Sequence, residues 1–193
     1  NGDLDLGSSL TPISFNIDNG TALTDMRISG TITGSGTGLT KIGTGRLDFD
    51  GPAPNTYTGL TTISAGTLFL NKTAGVNAIP GNFLINGGIL TLGTPDQISD
   101  SSAATLSSGT FNMNFAETIG SFTFNGGSFN QGGALTLTSS GTALSMRNTT
   151  INGAVNLTGG GAVIFDNTNN GTATINGDLD LGSSLTPISF NID

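Results

Sequence analysis

Apolar residues recur two apart in short bursts along the whole chain. Examples are Leu4 and Leu6, Ile13, Phe15 and Ile17, Leu47 and Phe49, Leu68 and Leu70, Leu90 and Leu92, Phe111 and Met113, Phe122 and Phe124, Leu135 and Leu137, Val155 and Leu157, and Val163 and Phe165. That period puts the apolar members of each burst on one face of a strand and the polar members between them on the other. A helical period never runs far before Gly or β-branched Thr and Ile interrupts it. The pattern predicts an all-β chain of many short strands.

The bursts are punctuated by a recurring corner, in which an apolar residue is followed by two or three small residues that include Gly. Corners open at Ile28, Ile42, Ile63, Ile85, Leu106, Phe124, Ile151 and Ile175, with a further candidate at Leu137. Gly and Asn supply the backbone freedom that a sharp corner needs. The mean spacing of about 22 residues is a solenoid period, with roughly three short strands to each turn. In a parallel β-helix each position stacks on its equivalent in the next turn, about 4.8 Å away. Longer intervals predict loops at Leu10–Asp25, Thr73–Asn82, Thr94–Ala103 and Gly159–Thr172, with Asn167–Gly171 as an exposed bulge. Pro80 and Pro95 fall in two of them, where a missing N–H breaks no ladder.

A longer repeat lies over this one. Asn1–Asp18, NGDLDLGSSLTPISFNID, returns letter for letter at Asn176–Asp193, an offset of 175 residues. The chain therefore reads as one period of a tandem array, residues 1–175, followed by the start of the next, residues 176–193. Eight or nine rungs would make up one period, roughly 38–43 Å along the axis. The second copy is expected on the same axis in the same orientation.

Composition narrows the chemistry. Only 9% of the residues are charged, 31 are Gly, and the net charge is −8. Such a chain lacks the clustered Lys and Arg that nucleic acid or an anionic membrane surface would require. With no Cys it has neither disulfides nor thiolate metal sites. With no His it has no imidazole base or ligand. Asp3, Asp5, Asp48 and Asp50 alternate with apolar residues, so they are expected to point outward as solubilising charge. Stacking Asp5 over Thr33 over Asp48 would separate two carboxylates by about 10 Å, a spacing that inverting glycosidases use and that any two rungs also give. The oxygen-rich segments Asp96–Asp100 and Asp18–Gly20 lack the repeat of calcium-binding β-rolls, and no metal or cofactor is expected. Five Asn-x-Ser/Thr sequons, at Asn19, Asn71, Asn148, Asn156 and Asn170, are what a chain rich in Asn and Thr produces. Outward columns of Thr and Asn are expected to form hydrogen-bonded ladders between rungs.

One segment is more specific. Asn55-Thr56-Tyr57-Thr58-Gly59-Leu60-Thr61-Thr62-Ile63-Ser64-Ala65-Gly66-Thr67-Leu68, within Leu47–Leu70, resembles the autotransporter-associated β-strand repeat, whose pattern is N-x-Y-x-G-x-T-x-(I/V)-x-x-G-x-L. The resemblance implies a right-handed parallel β-helix in a large bacterial surface or secreted protein, gives Tyr57 a packing place, and implies no catalysis. The function expected is a structural tandem repeat of a long extracellular bacterial fibre or stalk, whose main partner is itself through end-to-end continuation. The alternative is an adhesin passenger that meets a host or neighbouring cell, or a glycan, through loops at Pro80–Asn82 and Asn167–Gly171. A polysaccharide-acting enzyme is a distant third.

Overall fold

A computed structural model describes residues 2–166, 171–182 and 190–192. The chain winds through about seven turns spaced about 21 residues apart, all β, with every strand pair parallel. Eight or nine rungs are expected for the 175-residue period, and the longest wall stacks nine strands in eight steps. Three walls enclose a narrow core.

The first wall is the most continuous. Ile13–Asn16, Leu39–Ile42 and Thr61–Ile63 stack in order, followed by the first halves of Phe83–Leu92 and Ala103–Met113. Ser121–Phe124, Thr142–Arg147, Ala162–Asp166 and Phe190–Ile192 complete it. The second wall stacks Met26–Ile28, Arg46–Gly51, Thr67–Lys72, the second halves of the two long strands, and Ser128–Gln131. The first and second walls are arms of the same strand where the corner is tight. Phe83–Leu92 bends at Gly87, with φ of 115°, and Ala103–Met113 at Gly109, with φ of 87°. A Cβ on Gly109 would stand 2.2 Å from the Gly88 carbonyl oxygen of the rung before, so no side chain fits there.

The third wall is regular only towards its two ends. Leu4–Asp5 pairs with Ile32–Thr33, and Glu117–Ile119, Leu135–Leu137, Val155–Leu157 and Leu179–Asp180 pair in sequence. Between them the wall is built from Asn55, the Ile79–Ile98 bridge and Gln97.

Inside, equivalent apolar residues stack rung on rung. Leu47, Leu68, Leu90 and Phe111 form one column, with Phe129 next to Phe111. Ile63, Ile85, Leu106, Phe124 and Met146 form another. All of these are buried, as are Ile151 and Tyr57, and Ile175 packs against the core. Phe83, Phe111, Phe122, Phe124 and Phe129 meet edge-on, tilted or stacked, with ring centroids 5.1–6.5 Å apart. Pairs in that range add stabilisation beyond their buried area.

Three sequence expectations change. The corner at Ile42 is one residue out of phase, because Lys41 stands opposite Ile63 while Ile42 stands opposite Asn16. Ile28 lies opposite Phe49, and Ile151 opposite Ile175, so these corners belong to the second wall and its continuation. Both edges of a wall end in an apolar residue and Gly, so composition alone merges two corner types into one series. The expected loops are also shorter. Ile13–Asn16 and Ala162–Asp166 are strands within two of them, and buried Ala78, Ile79, Gln97 and Ile98 turn the other two into core wall. Residues 167–170 of the expected bulge lie outside the described residues.

Candidate functional site: a polar spine and a segment paired on both edges

Two lysines turn inward: Lys41 takes the position that the next rung gives to Ile63, and Lys72 stands opposite Gly51. Lys41 lies inward with no exposed surface, and its Nζ donates to the carbonyls of Ile42 at 2.8 Å, Gly43 at 2.9 Å and Ala65 at 3.3 Å. It thus ties two consecutive corners together. Lys72, also fully buried, donates from Nζ to Asp50 O at 3.0 Å and Gly30 O at 3.2 Å. Burial pulls both ammonium groups below the ordinary lysine range, opposed by Asp25 near Lys41 and by Asp50 and Asp3 near Lys72. Their stems fill the core column while their heads satisfy carbonyls that the turning backbone leaves free.

From Lys72 a chain of buried polar groups runs along the third wall. The Lys72 N–H donates to Gln97 Oε1 at 2.8 Å. The N–H of Gln97 donates to Glu117 Oε2 at 2.9 Å and that of Ile98 to Glu117 Oε1 at 3.3 Å. Asn55 does the same one rung earlier, accepting from Ile32 N–H at 2.9 Å and donating to Ala78 O at 2.7 Å. Side chains here replace backbone partners that the irregular wall does not supply. Glu117 is only 3% exposed, and burial pushes its carboxyl up to about 7 against the two N–H donors. Tyr57 packs as expected, with its hydroxyl 2.6 Å from Thr61 Oγ1, and burial pushes its phenol well above the ordinary range.

The acidic positions separate. Asp5 stands opposite Thr33, as expected, but Asp48 does not lie over Thr33; it stands opposite Arg27 and Phe69 on the second wall. The expected stack of Asp5, Thr33 and Asp48 therefore fails, because the chain turns a corner between Thr33 and Asp48. Nor is Asp48 solvated. It is 4% exposed, takes Arg46 Nε and Nη2 at 2.5 and 2.9 Å, and accepts from Thr24 Oγ1 at 2.8 Å. The Arg46 guanidinium also lies 3.9 Å from the centroid of the Phe69 ring. Asp25 accepts the N–H groups of Arg46 and Gly20, which hold its carboxyl below the usual carboxylate range. Among the described residues no three acids converge as a metal cluster would require. Asn82, in the Pro80–Asn82 segment, accepts the N–H of Ala103 through Oδ1 at 2.8 Å.

The ladders expected of Asn and Thr form on the outward face of the second wall. Asn112 donates to Thr91 at 3.2 Å and Asn130 donates to Asn112 at 2.7 Å. Further along, Asn176 donates to Asn152 at 2.9 Å.

The duplicated segment pairs in opposite directions in its two copies. Leu4–Asp5 joins the rung that follows it in sequence, at Ile32–Thr33. Leu179–Asp180, the same Leu-Asp pair, joins the rung that precedes it, at Val155–Asn156. The local turn is the same in both. Gly7 N–H donates to Asp5 Oδ1 at 2.9 Å and Gly182 N–H to Asp180 Oδ1 at 2.8 Å, with φ of 77° and 67° at the two glycines.

The segment that carries the Asn-Tyr-Gly pattern, the Lys41 staple and the Asn55 bridge is also the one that matches a known repeat. Residues 39–68 match the passenger-associated-transport-repeat. The match spans the rung from Leu39 to Leu68, in which Gly66 adopts φ of 61° with the carbonyls of Gly45 and Gly43 within 2.5 Å of where its Cβ would stand. The parallel β-solenoid is consistent with this repeat, which covers a single rung of the chain. No curated protein matches the chain significantly. No solved structure does so either.

Proposed function

We infer that the chain is one length-setting period of an extended extracellular passenger, a stalk or fibre on a bacterial surface. Its work in this reading is mechanical reach, with no reaction of its own. The observation that carries the reading is the two-way pairing of the Leu-Asp strand. In one copy it stacks on the rung after it, and in the other on the rung before it. A segment that fits both neighbours is an internal rung of a continuous coil. The local turn at Gly7 and Gly182 supports the same reading. The long thin core also supports it, since each rung of such a coil draws its stability from its neighbours alone.

Electron microscopy of the native surface fibre tests the reading. Eight steps of about 4.8 Å predict an axial period of roughly 38 Å. A filament with no modulation near that spacing, or a compact globular particle, would exclude a continuous coil.

A further inference from the structure

On the second wall the strand ladder stops at Ser128–Gln131. That strand pairs backward with Ala103–Met113, while the next rung's Thr150–Ile151 pairs forward with Thr174–Ile175. A cleft opens between them, with two adjoining cavities of about 340 and 390 Å³ that share Phe129, Asn130 and Asn152. Their size falls within the usual range of small-ligand sites.

The outward amide ladder is interrupted at the same place. Asn130, which lines both cavities, spends its Nδ2 on Asn112, and its Oδ1 has no partner among the described residues. Asn152 spends its Oδ1 on Asn176, so its Nδ2 has no partner among the described residues. The break is thus bounded by an acceptor on one side and a donor on the other. Gln131 lines the same cavity; its Nε2 donates to Ala154 O at 2.6 Å, and its buried Oε1 has no partner. No residue lining either cavity is charged.

We propose that this cleft is a binding site for an uncharged, hydroxyl-rich glycan. A hydroxyl donates and accepts from a single oxygen, so it completes the ladder by donating to Asn130 Oδ1 and accepting from Asn152 Nδ2. A carboxylate or sulfate has no proton to give that acceptor, and an ammonium accepts nothing from Asn152. The site is independent of the array and stands whether or not the periods form a fibre.

The test is amide NMR of the uniformly labelled chain titrated with cellotetraose and with N-acetylchitotetraose, beside tetragalacturonate as the anionic comparison. At least one neutral probe should shift the carboxamide signals of Asn130 and Asn152. Asn152→Asp keeps the acceptor for Asn176 but turns the donor into an acceptor, and it should weaken binding roughly tenfold. Asn130→Asp keeps an acceptor towards the break but gives up the Nδ2 donor to Asn112, and it should weaken binding less than Asn152→Asp does. Unchanged spectra away from the cleft verify folding of both variants. The proposal is overturned if neither neutral probe perturbs the cleft, if tetragalacturonate binds as well, or if the two variants weaken binding equally.

Discussion

Glu117 offers the sharpest test of how the interior is held together. Its carboxyl stands at about 7 in the folded chain, against an ordinary 4.5, and burial is the largest cause. A carboxyl raised on folding holds its proton more tightly in the native state than in the unfolded one. Between pH 4.5 and 7 the native state therefore binds more protons, and stability falls as pH rises through that window. Below 4.5 both states are protonated and the contribution is flat; above 7 both are ionised and the full cost of the buried charge is present. At 1.36 kcal/mol per unit, the difference is on the order of 3 kcal/mol. The other shifted groups act elsewhere: Asp25 is lowered and matters only in acid, and the lowered lysines act on the alkaline side. Glu117→Gln removes the titration. It also turns one oxygen into a donor facing an N–H, a cost of about 1–3 kcal/mol that does not vary with pH. Urea unfolding followed by far-UV circular dichroism at pH 5 and pH 7.5 reads the difference. The parent should lose stability across that interval by on the order of 2 kcal/mol more than Glu117→Gln does. Parallel pH profiles for the two proteins would refute the reasoning, whatever the absolute stabilities.

Three further outcomes follow from the same interior. Lys41→Met keeps the stem but strands the carbonyls of Ile42, Gly43 and Ala65, and should cost about 1–3 kcal/mol in urea unfolding, whereas a gain in stability would show that the ammonium is not a staple. Asn55→Leu orphans Ile32 N–H and Ala78 O inside the third wall and should cost about 2 kcal/mol or more by the same measurement; a neutral result would mean that the wall does not depend on the bridge. Phe111→Ala, at the junction of Phe83, Phe122 and Phe129, should cost about 3–5 kcal/mol, and thermal melts within about a degree of the parent would contradict the packing described.

Much of the fold can be read from the chain because a solenoid is a local object. Each rung meets only the next, so a spacing of about 22 residues and apolar positions two apart carry the architecture. Of the corner residues expected in the core on that basis, Ile63, Ile85, Phe124 and Ile151 are buried, and Ile175 is half-buried against the core. The phase of the corners was less legible. Lys41 fills the column of Ile63 although a lysine carries no apolar signal, and Ile42 beside it carries one. Lys72, Gln97 and Glu117 escaped notice for the same reason. A buried polar residue is recognisable only once the carbonyl or N–H it satisfies is known, and those partners lie about one to two rungs away. Asp48 shows the converse: alternation correctly turned it outward, yet Arg46 and Thr24 cover it.

The sequence by itself determined that this chain is a coil of parallel strands with a 175-residue period, because period and identity are properties of order along the chain. Tertiary structure alone decided which polar groups close the third wall and where the Asn ladder breaks. Those outcomes depend on which rung a residue meets, and unequal rungs shift that meeting by several residues at each turn. A donor and an acceptor then become partners, or are left facing a gap, according to a register that no single strand encodes.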